Sequence, residues 1–308
     1  MRDLWPSVRL VGGGLVLVLL LWQFGTGPFA DAWQVTTWGS VALALVLTLF
    51  ATLANAWRWR VVSAALGVPL TTWESVTAYY RSQFLNTVLP GGVLGDAHRG
   101  TRHGQGLGDL GAGLRATVWD RVAGQLVQAG LVVLAVGLMP TPLRRYALVA
   151  LAALVVLGLA AWWFGRRRGV LSFVGRDLRL LQPSAVGGRL MVASCASTTA
   201  YVAIFAVAVH AVGVDVRPTL AVPLALVVLV GAAIPLNVAG WGPREGVTAA
   251  VFAAAGMASA DGLTVSVAFG VLSAVATVPG AVVLLADVVV GRRPATPPSR
   301  ALEEARHG

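Results

Sequence analysis

Residues 86–99 read NTVLPGGVLGDAHR, and they interrupt an apolar stretch that covers residues 72–95. Proline disfavours helical geometry for the residue before it, so we expect the helix that begins at residue 72 to end at Pro90. Glycine tolerates positive φ angles and close backbone approach, and this stretch contains Gly91, Gly92 and Gly95. A new helical turn should begin near Asp96, a residue type favoured at helix N-termini. Asp96 and Arg99, three positions apart, would then share one helix face.

A second broken stretch covers residues 218–256, where residues 234–246 read IPLNVAGWGPREG. The residues expected to interrupt the helix are Pro235, Gly240 and Gly242. Pro243 suits the first position of a new helix, which places Arg244 and Glu245 at an N-terminus where backbone amides and the helix dipole attract anions. These two side chains either hold a phosphate group or neutralise each other and stabilise the break.

The composition predicts a membrane protein. Of the 308 residues, 57% are hydrophobic and 12% are charged, whereas a soluble domain is about 25% charged. The net charge is +10, but the arginines lie mostly between apolar runs, where they orient membrane helices; this argues against nucleic-acid binding. Cys195 is the single cysteine, which excludes an internal disulfide and a cysteine-rich metal site. We expect no metal and no other cofactor.

The apolar runs predict an all-α polytopic fold with six full transmembrane helices and two broken, re-entrant helical hairpins. The full spans should cover residues 10–24, 37–57, 117–139, 146–164, 190–212 and 263–290. An alternative for the first of these is a cleaved signal peptide. Residues 1–291 should form a single integral membrane domain, and residues 292–308 a disordered basic cytoplasmic tail.

Arginine counts in the short loops place the N- and C-termini in the cytoplasm of a plasma-membrane protein. Arg144 and Arg145 violate the rule, since they fall outside. With this orientation, the stretch 72–95 enters the membrane from inside and the stretch 218–256 from outside. Two interrupted segments of opposite orientation are typical of transporters built from inverted repeats. The alternatives are two ordinary kinked helices or a helical pair that spans fully.

Polar residues inside the predicted spans need partners or a wet cavity. In the third span, Arg121, Gln125 and Gln128 follow helical periodicity, and they either line a cavity or join helices. The small and hydroxyl residues between 194 and 201 favour close helix packing. Arg58 and Arg60 should lie on the cytoplasmic side, flanked by Trp57 and Trp59, which suit the membrane interface. Asp287 should also be interfacial. Residues 106–111 read GLGDLG, which we interpret as a flexible cytoplasmic loop.

The two motifs together resemble the flippase-like transmembrane family related to the membrane region of lysylphosphatidylglycerol synthase. The matching residues of the first motif are Asn86, Leu89, Pro90, Gly95, Asp96 and Arg99, and those of the second are Pro235, Gly240, Gly242, Arg244 and Glu245. Leu94 and Pro243 depart from the family pattern. The resemblance covers about residues 40–290, and it does not include an aminoacyl-transfer domain.

The resemblance implies movement of an anionic phospholipid or a polyprenyl-phosphate-linked precursor between leaflets. The expected substrate-binding residues are Asn86, Asp96, Arg99, Arg121, Arg244 and Glu245. We expect Arg99 and Arg244 to hold one anionic head group, balanced by the neighbouring acids. Two alternatives are a membrane-embedded head-group transferase, with Asp96, His98 or Glu245 as base, and a non-catalytic partner of a lipid or glycan enzyme. A homo-oligomer is also compatible with the sequence.

Overall fold

The computed structural model describes residues 27–89, 92–167, 173–233 and 242–289. The predicted first span, residues 234–241 of the second motif and the predicted tail lie outside these residues. The described residues form helices joined by short turns and contain no strand. They form α1 Gly27–Gln34, α2 Trp38–Ala65, α3 Thr72–Val88, α4 Leu94–Leu107, α5 Leu110–Ala135, α6 Thr141–Arg167, α7 Val174–Leu181, α8 Ser184–Val212, α9 Pro218–Ala232, α10 Pro243–Ala254, α11 Ser259–Ala276 and α12 Pro279–Val289.

Five helical segments in the described residues are long and apolar enough to cross a membrane, which confirms the all-α polytopic fold. They are Trp38–Ala65, Leu110–Leu138, Thr141–Arg167, Ser184–Val212 and Ser259–Asp287. Each corresponds to one of the predicted spans. Several helices begin or end beyond the predicted bounds, because charged residues next to the apolar runs are also helical.

The clearest such case is α2, which continues through Arg58 and Trp59. We predicted Arg58 on the cytoplasmic side and Trp59 at the membrane interface; both stay predictions, and the structure adds that the two side chains are buried inside the protein. Trp59 is 1% exposed and Arg58 is 7% exposed. Arg58 pairs with Asp120 and donates a hydrogen bond to Ser194 on neighbouring helices. A paired arginine can be buried where an unpaired one cannot.

The first broken stretch forms two helices, α3 and α4, as predicted. Leu89, the residue before the proline, is extended with ψ 147°, and it ends α3. The second helix begins at Leu94, with Val93 at the N-cap. Asp96 is therefore not the N-cap that we expected, and its carboxylate is used for contacts between helices instead.

The turn between α4 and α5 replaces the flexible loop predicted at residues 106–111. Helix α4 continues through Leu107, and Gly108 closes it in the left-handed conformation, with φ 69°. Asp109 then caps α5, because its side chain accepts a hydrogen bond from the backbone N–H of Ala112 at 2.8 Å. This tight turn holds α4 against α5, which positions the charged residues of both helices.

The second motif begins a helix at Pro243, as predicted. Gly242 has φ 140°, a conformation that residues with a side chain rarely adopt. The Gly242 N–H donates to Glu245 Oε2 at 2.6 Å. The N-terminus of α10 is therefore capped by the chain's own carboxylate.

Candidate functional site

Six charged or phenolic side chains from four helices meet inside the protein, and we call them the charge cluster. Its members are Arg58 from α2, Tyr79 from α3, Asp96 and Arg99 from α4, and Asp120 and Arg121 from α5. The cluster contains three guanidinium groups and two carboxylates. It therefore carries one more positive than negative charge.

Asp120 is at the centre of the cluster and is fully buried. Its Oδ1 accepts from Arg58 Nε at 2.8 Å, and its Oδ2 accepts from Arg99 Nη2 at 2.9 Å and from the Tyr79 hydroxyl. Arg58 also donates to Ser194 Oγ at 3.3 Å. Because a buried carboxylate is tolerated only when it is paired and hydrogen-bonded, Asp120 fixes the relative positions of α2, α3, α4 and α5.

Asp96 joins the two helices of the first hairpin to α5. Its carboxylate accepts from Ser82 Oγ and Asn86 Nδ2, each at 3.0 Å. It also accepts from Arg99 Nη2 at 3.1 Å and from Arg121 Nη2. The predicted site residues of the first motif and of the third span are therefore in direct contact.

Gly95 makes this arrangement possible because the backbones of α3 and α4 meet there. The Gly95 N–H donates to Asn86 Oδ1 at 2.8 Å. A Cβ atom at Gly95 would overlap the carbonyl oxygen of Ser82 and lie 2.8 Å from Asn86 Oδ1. Glycine at this position is thus required by the close approach of the two helices.

Arg99 is held from both sides. Its guanidinium carbon lies 4.4 Å from the centroid of the Trp59 ring and 3.9 Å from that of Tyr79. The residue is only 2% exposed. Cation–π contacts and two carboxylates therefore stabilise the buried charge.

A polar cavity of about 320 Å³, which we call the central cavity, lies against the cluster. Its lining includes Asn86, Asp96 and Arg121, together with Gln125 and Gln128 from the same face of α5. The polar face of the third span therefore combines the two alternatives, since it lines the cavity and Arg121 also joins α5 to α4. Gln125 Oε1 and Gln128 Nε2 have no hydrogen-bond partner among the described residues.

The hydroxyl-rich face of α8 also lines the central cavity, through Ser197, Thr198 and Tyr201. We predicted that these residues serve helix packing, and their position against the cavity is a further role. Tyr201 accepts a hydrogen bond from Gln83 Nε2 at 3.3 Å. The walls of the cavity therefore offer both donors and acceptors.

A second cavity of about 400 Å³ lies between α3, α4 and α12, and we call it the hairpin cavity. Its lining includes Arg81, Arg99, Arg102 and Asp287. Asp287 Oδ2 accepts from Arg102 Nη1 at 2.9 Å and from Arg81 Nη1. Asp287 is therefore an ion-pair partner of the first hairpin, and its interfacial position stays a prediction.

Arg244 and Glu245 belong to another network. Arg244 Nη2 donates to Glu245 Oε1 at 2.5 Å, and Arg244 Nε donates to Ser266 Oγ at 3.2 Å. Glu245 is fully buried. The linings of the central and hairpin cavities do not include Arg244 among their described residues. The joint contact of Arg99 and Arg244 with one head group stays a prediction, and the pairing of Arg244 with Glu245 is the other alternative for this motif.

Sequence reasoning missed three contributors to these networks. They are Tyr79, Arg81 and Ser82, which lie on α3 inside the first broken stretch. The prediction for this stretch rested on its glycines and its proline. An arginine within an apolar stretch is a usable signal, because it requires a partner. The sequence could have flagged Arg81 in this way, but it could not supply the partner, Asp287, more than two hundred positions away.

Membrane-length helices, interrupted helices and a buried charge cluster define a polytopic helical membrane protein. Within that class, the chain belongs to the family described as the lysylphosphatidylglycerol synthase TM region, whose sequence profile matches residues 7–280. This confirms the resemblance that the two motifs indicated. A search among curated proteins returned no match.

Proposed function

We propose that this protein moves an anionic lipid between the two leaflets of its membrane, with the lipid's head group in the central cavity. Membership of the family supports a role connected with membrane lipids. The translocation step is our own proposal, as are the plasma-membrane location and the cytoplasmic termini. The substrate class is an anionic phospholipid or a polyprenyl-phosphate-linked precursor.

The excess positive charge beside the central cavity is the observation that carries this proposal. Arg58 and Arg99 are deeply buried, whereas the Arg121 side chain is 38% exposed and lines the cavity. Arg58 also lines the cavity, and Arg121 is the more exposed of these two guanidinium groups and hence the easier for a ligand to reach. A phosphate oxygen at Arg121 would balance the charge of the cluster and gain a charge-assisted hydrogen bond.

The rest of the cavity suits a polar head group. Gln125 Oε1, an acceptor, and Gln128 Nε2, a donor, lack a hydrogen-bond partner in the described residues. A volume of about 320 Å³ is at the lower end of the range for small-molecule sites. The head group would occupy this space while the acyl chains remain in the bilayer.

The interrupted helices support alternating access. Helix α3 has 17 residues and α9 has 15, whereas a full crossing needs about 20 apolar residues. Re-entrant hairpins that enter from opposite sides would form an inverted repeat, and movement of one hairpin would open the cavity to either leaflet.

The alternative of a head-group transferase has less support. Asp96 accepts hydrogen bonds from four side chains, and Glu245 accepts from Gly242 and Arg244. Both carboxylates are therefore already engaged by donors of the protein, whereas a general base must be within reach of the proton that it takes from a substrate.

The experiment is a leaflet-exchange assay in liposomes that contain the purified protein. Two labelled phospholipids with the same acyl chains are compared, one with an anionic and one with a zwitterionic head group; a polyprenyl phosphate is tested in parallel. We expect faster exchange of an anionic substrate than of the zwitterionic lipid. Equal rates with and without protein for all three substrates would refute the proposal.

A further inference from the structure

We propose that the hairpin cavity is a second anion site, which binds a phosphate group and is separate from the head-group site in the central cavity. Arg81 and Arg102 would bind the phosphate. The Asp287 carboxylate is ion-paired with both arginines in the structure, and the phosphate would replace it there. The proposal is independent of lipid translocation.

The charged side chains of the hairpin cavity favour an anion. One carboxylate, Asp287, is shared between Arg81 and Arg102. Arg81 is 8% exposed, and its Nε has no hydrogen-bond partner among the described residues. A buried guanidinium with an unused donor favours a ligand with more acceptor oxygens than one carboxylate supplies.

The geometry of the hairpin cavity also favours an anion. A single oxygen, Asp287 Oδ2, contacts both guanidinium groups. Arg81 and Arg102 are therefore close enough for one oxyanion to bridge them. A phosphate group can place one oxygen at this position and direct another towards Arg81 Nε. The carboxylate thus acts as an internal competitor for the same two cations.

The rest of the cavity wall is partly apolar. Trp59 and Leu70 provide apolar surface, and Trp73 is 70% exposed. Glu74 is exposed and is engaged by Thr71. The wall can therefore accept either the glycerol portion of a lipid or a free phosphate ion. The shared chemistry is the phosphate group, and the experiment separates its two sources.

The binding experiment uses the purified full chain in a neutral detergent. The probes are inorganic phosphate and a short-chain phosphatidylglycerol, with the corresponding diacylglycerol as a phosphate-free control, and calorimetry measures affinity and stoichiometry. Binding of inorganic phosphate would indicate a free ion as the natural ligand. Binding of the phospholipid alone would indicate a lipid head group.

Two variants should change the affinity of the hairpin cavity for phosphate in opposite directions. Arg102→Gln removes one cation and should weaken binding at the hairpin cavity about tenfold. Asp287→Asn removes the competing charge and should strengthen it about tenfold. A purely structural ion pair predicts no such opposition, since losing either partner would disturb the same contact. Weaker binding in both variants, or no change in either, would overturn the proposal.

The central cavity provides the internal reference. If both cavities bind phospholipid, the wild-type protein should bind two molecules. Arg102→Gln and Arg121→Gln should each weaken binding at a different one of these two sites. Arg145→Gln, which changes an exposed arginine outside both cavities, should leave the stoichiometry unchanged. Loss of transport in Arg121→Gln with no effect of Arg102→Gln on binding would refute the second site and leave the proposed function intact.

Discussion

Asp120 Oδ2 accepts a hydrogen bond from Arg99 Nη2 at 2.9 Å, and the two side chains are 0% and 1% exposed. This ion pair connects α5, a membrane-length helix, to the second helix of the broken hairpin. Arg99 also contacts Asp96 within its own helix. The hairpin is therefore anchored to the helix bundle by charge as well as by apolar packing.

Asp120→Asn should destabilise the protein strongly. The substitution leaves Arg58 and Arg99 with one fewer carboxylate in a site that water does not reach. Breaking a buried ion pair from one side costs about 3 kcal/mol or more in the free energy of unfolding. Thermal unfolding in detergent measures this, with the exposed Asp215→Asn as the matched control. Equal melting temperatures for the two variants would contradict the central role of Asp120.

Gly95→Ala should separate α3 from α4. The new methyl group would overlap the Ser82 carbonyl, which is backbone and cannot rotate away. Overpacking of this kind costs about 1–3 kcal/mol, and we expect increased protease sensitivity of the hairpin. Gly187→Ala in α8 is the control, because a Cβ there has nothing within 4 Å. A Gly95→Ala variant as protease-resistant as this control would be inconsistent with the close approach.

The break before α10 offers a test between the two roles considered for Arg244. Glu245 is buried, caps Gly242 and pairs with Arg244. We therefore expect Arg244→Gln to lower the free energy of unfolding by about 3 kcal/mol and to leave affinity for anionic lipid unchanged. Unfolding and lipid-binding measurements on the same preparation distinguish head-group binding from stabilisation of the helix break. Weaker lipid binding with unchanged stability would instead favour a head-group role for Arg244.

The cap at the start of α3 should be pH-dependent. Backbone and side-chain hydrogen bonds from Thr71 lower the pKa of the Glu74 carboxyl from its ordinary value of 4.5. Because the folded-state pKa is depressed, this stabilisation is complete above pH 4.5 and is lost as the pH falls through the folded-state value. Thr71→Ala should cost about 1 kcal/mol at neutral pH and less at pH 3.

The comparison of melting temperatures for wild type and Thr71→Ala across this range checks the sign. Glu74 is exposed, so solvent screening keeps the effect small. A difference between the two proteins that grows as the pH falls would contradict the linkage.

The local parts of the fold could be predicted from the sequence, and the long-range ones could not. Pro90 and Pro243 mark helix boundaries because proline acts on its immediate neighbours, and apolar runs mark spans through length alone. The pairing of Arg58 with Asp120 depends on how α2 and α5 pack. Nothing in the local sequence specifies that packing, so the sequence could not predict the ion pair.

The candidate site shows the same division. Arg121, Gln125 and Gln128 were placed on one face by helical periodicity, and they line one cavity. Periodicity could not show whether that face meets a cavity or another helix. The contact between Asp96 and Arg121 joins two helices through tertiary packing. It therefore became visible only in the structure.

Leaflet exchange by the Arg121→Gln variant directly tests whether the lipid head group binds in the central cavity. We expect this variant, folded and reconstituted at the wild-type density, to exchange an anionic lipid at least about tenfold more slowly than wild type. The background rate of zwitterionic lipid should not change, and Arg145→Gln should behave as wild type. Wild-type exchange of the anionic lipid by Arg121→Gln would contradict the account, because it would show that the head group does not use the more exposed guanidinium of the central cavity.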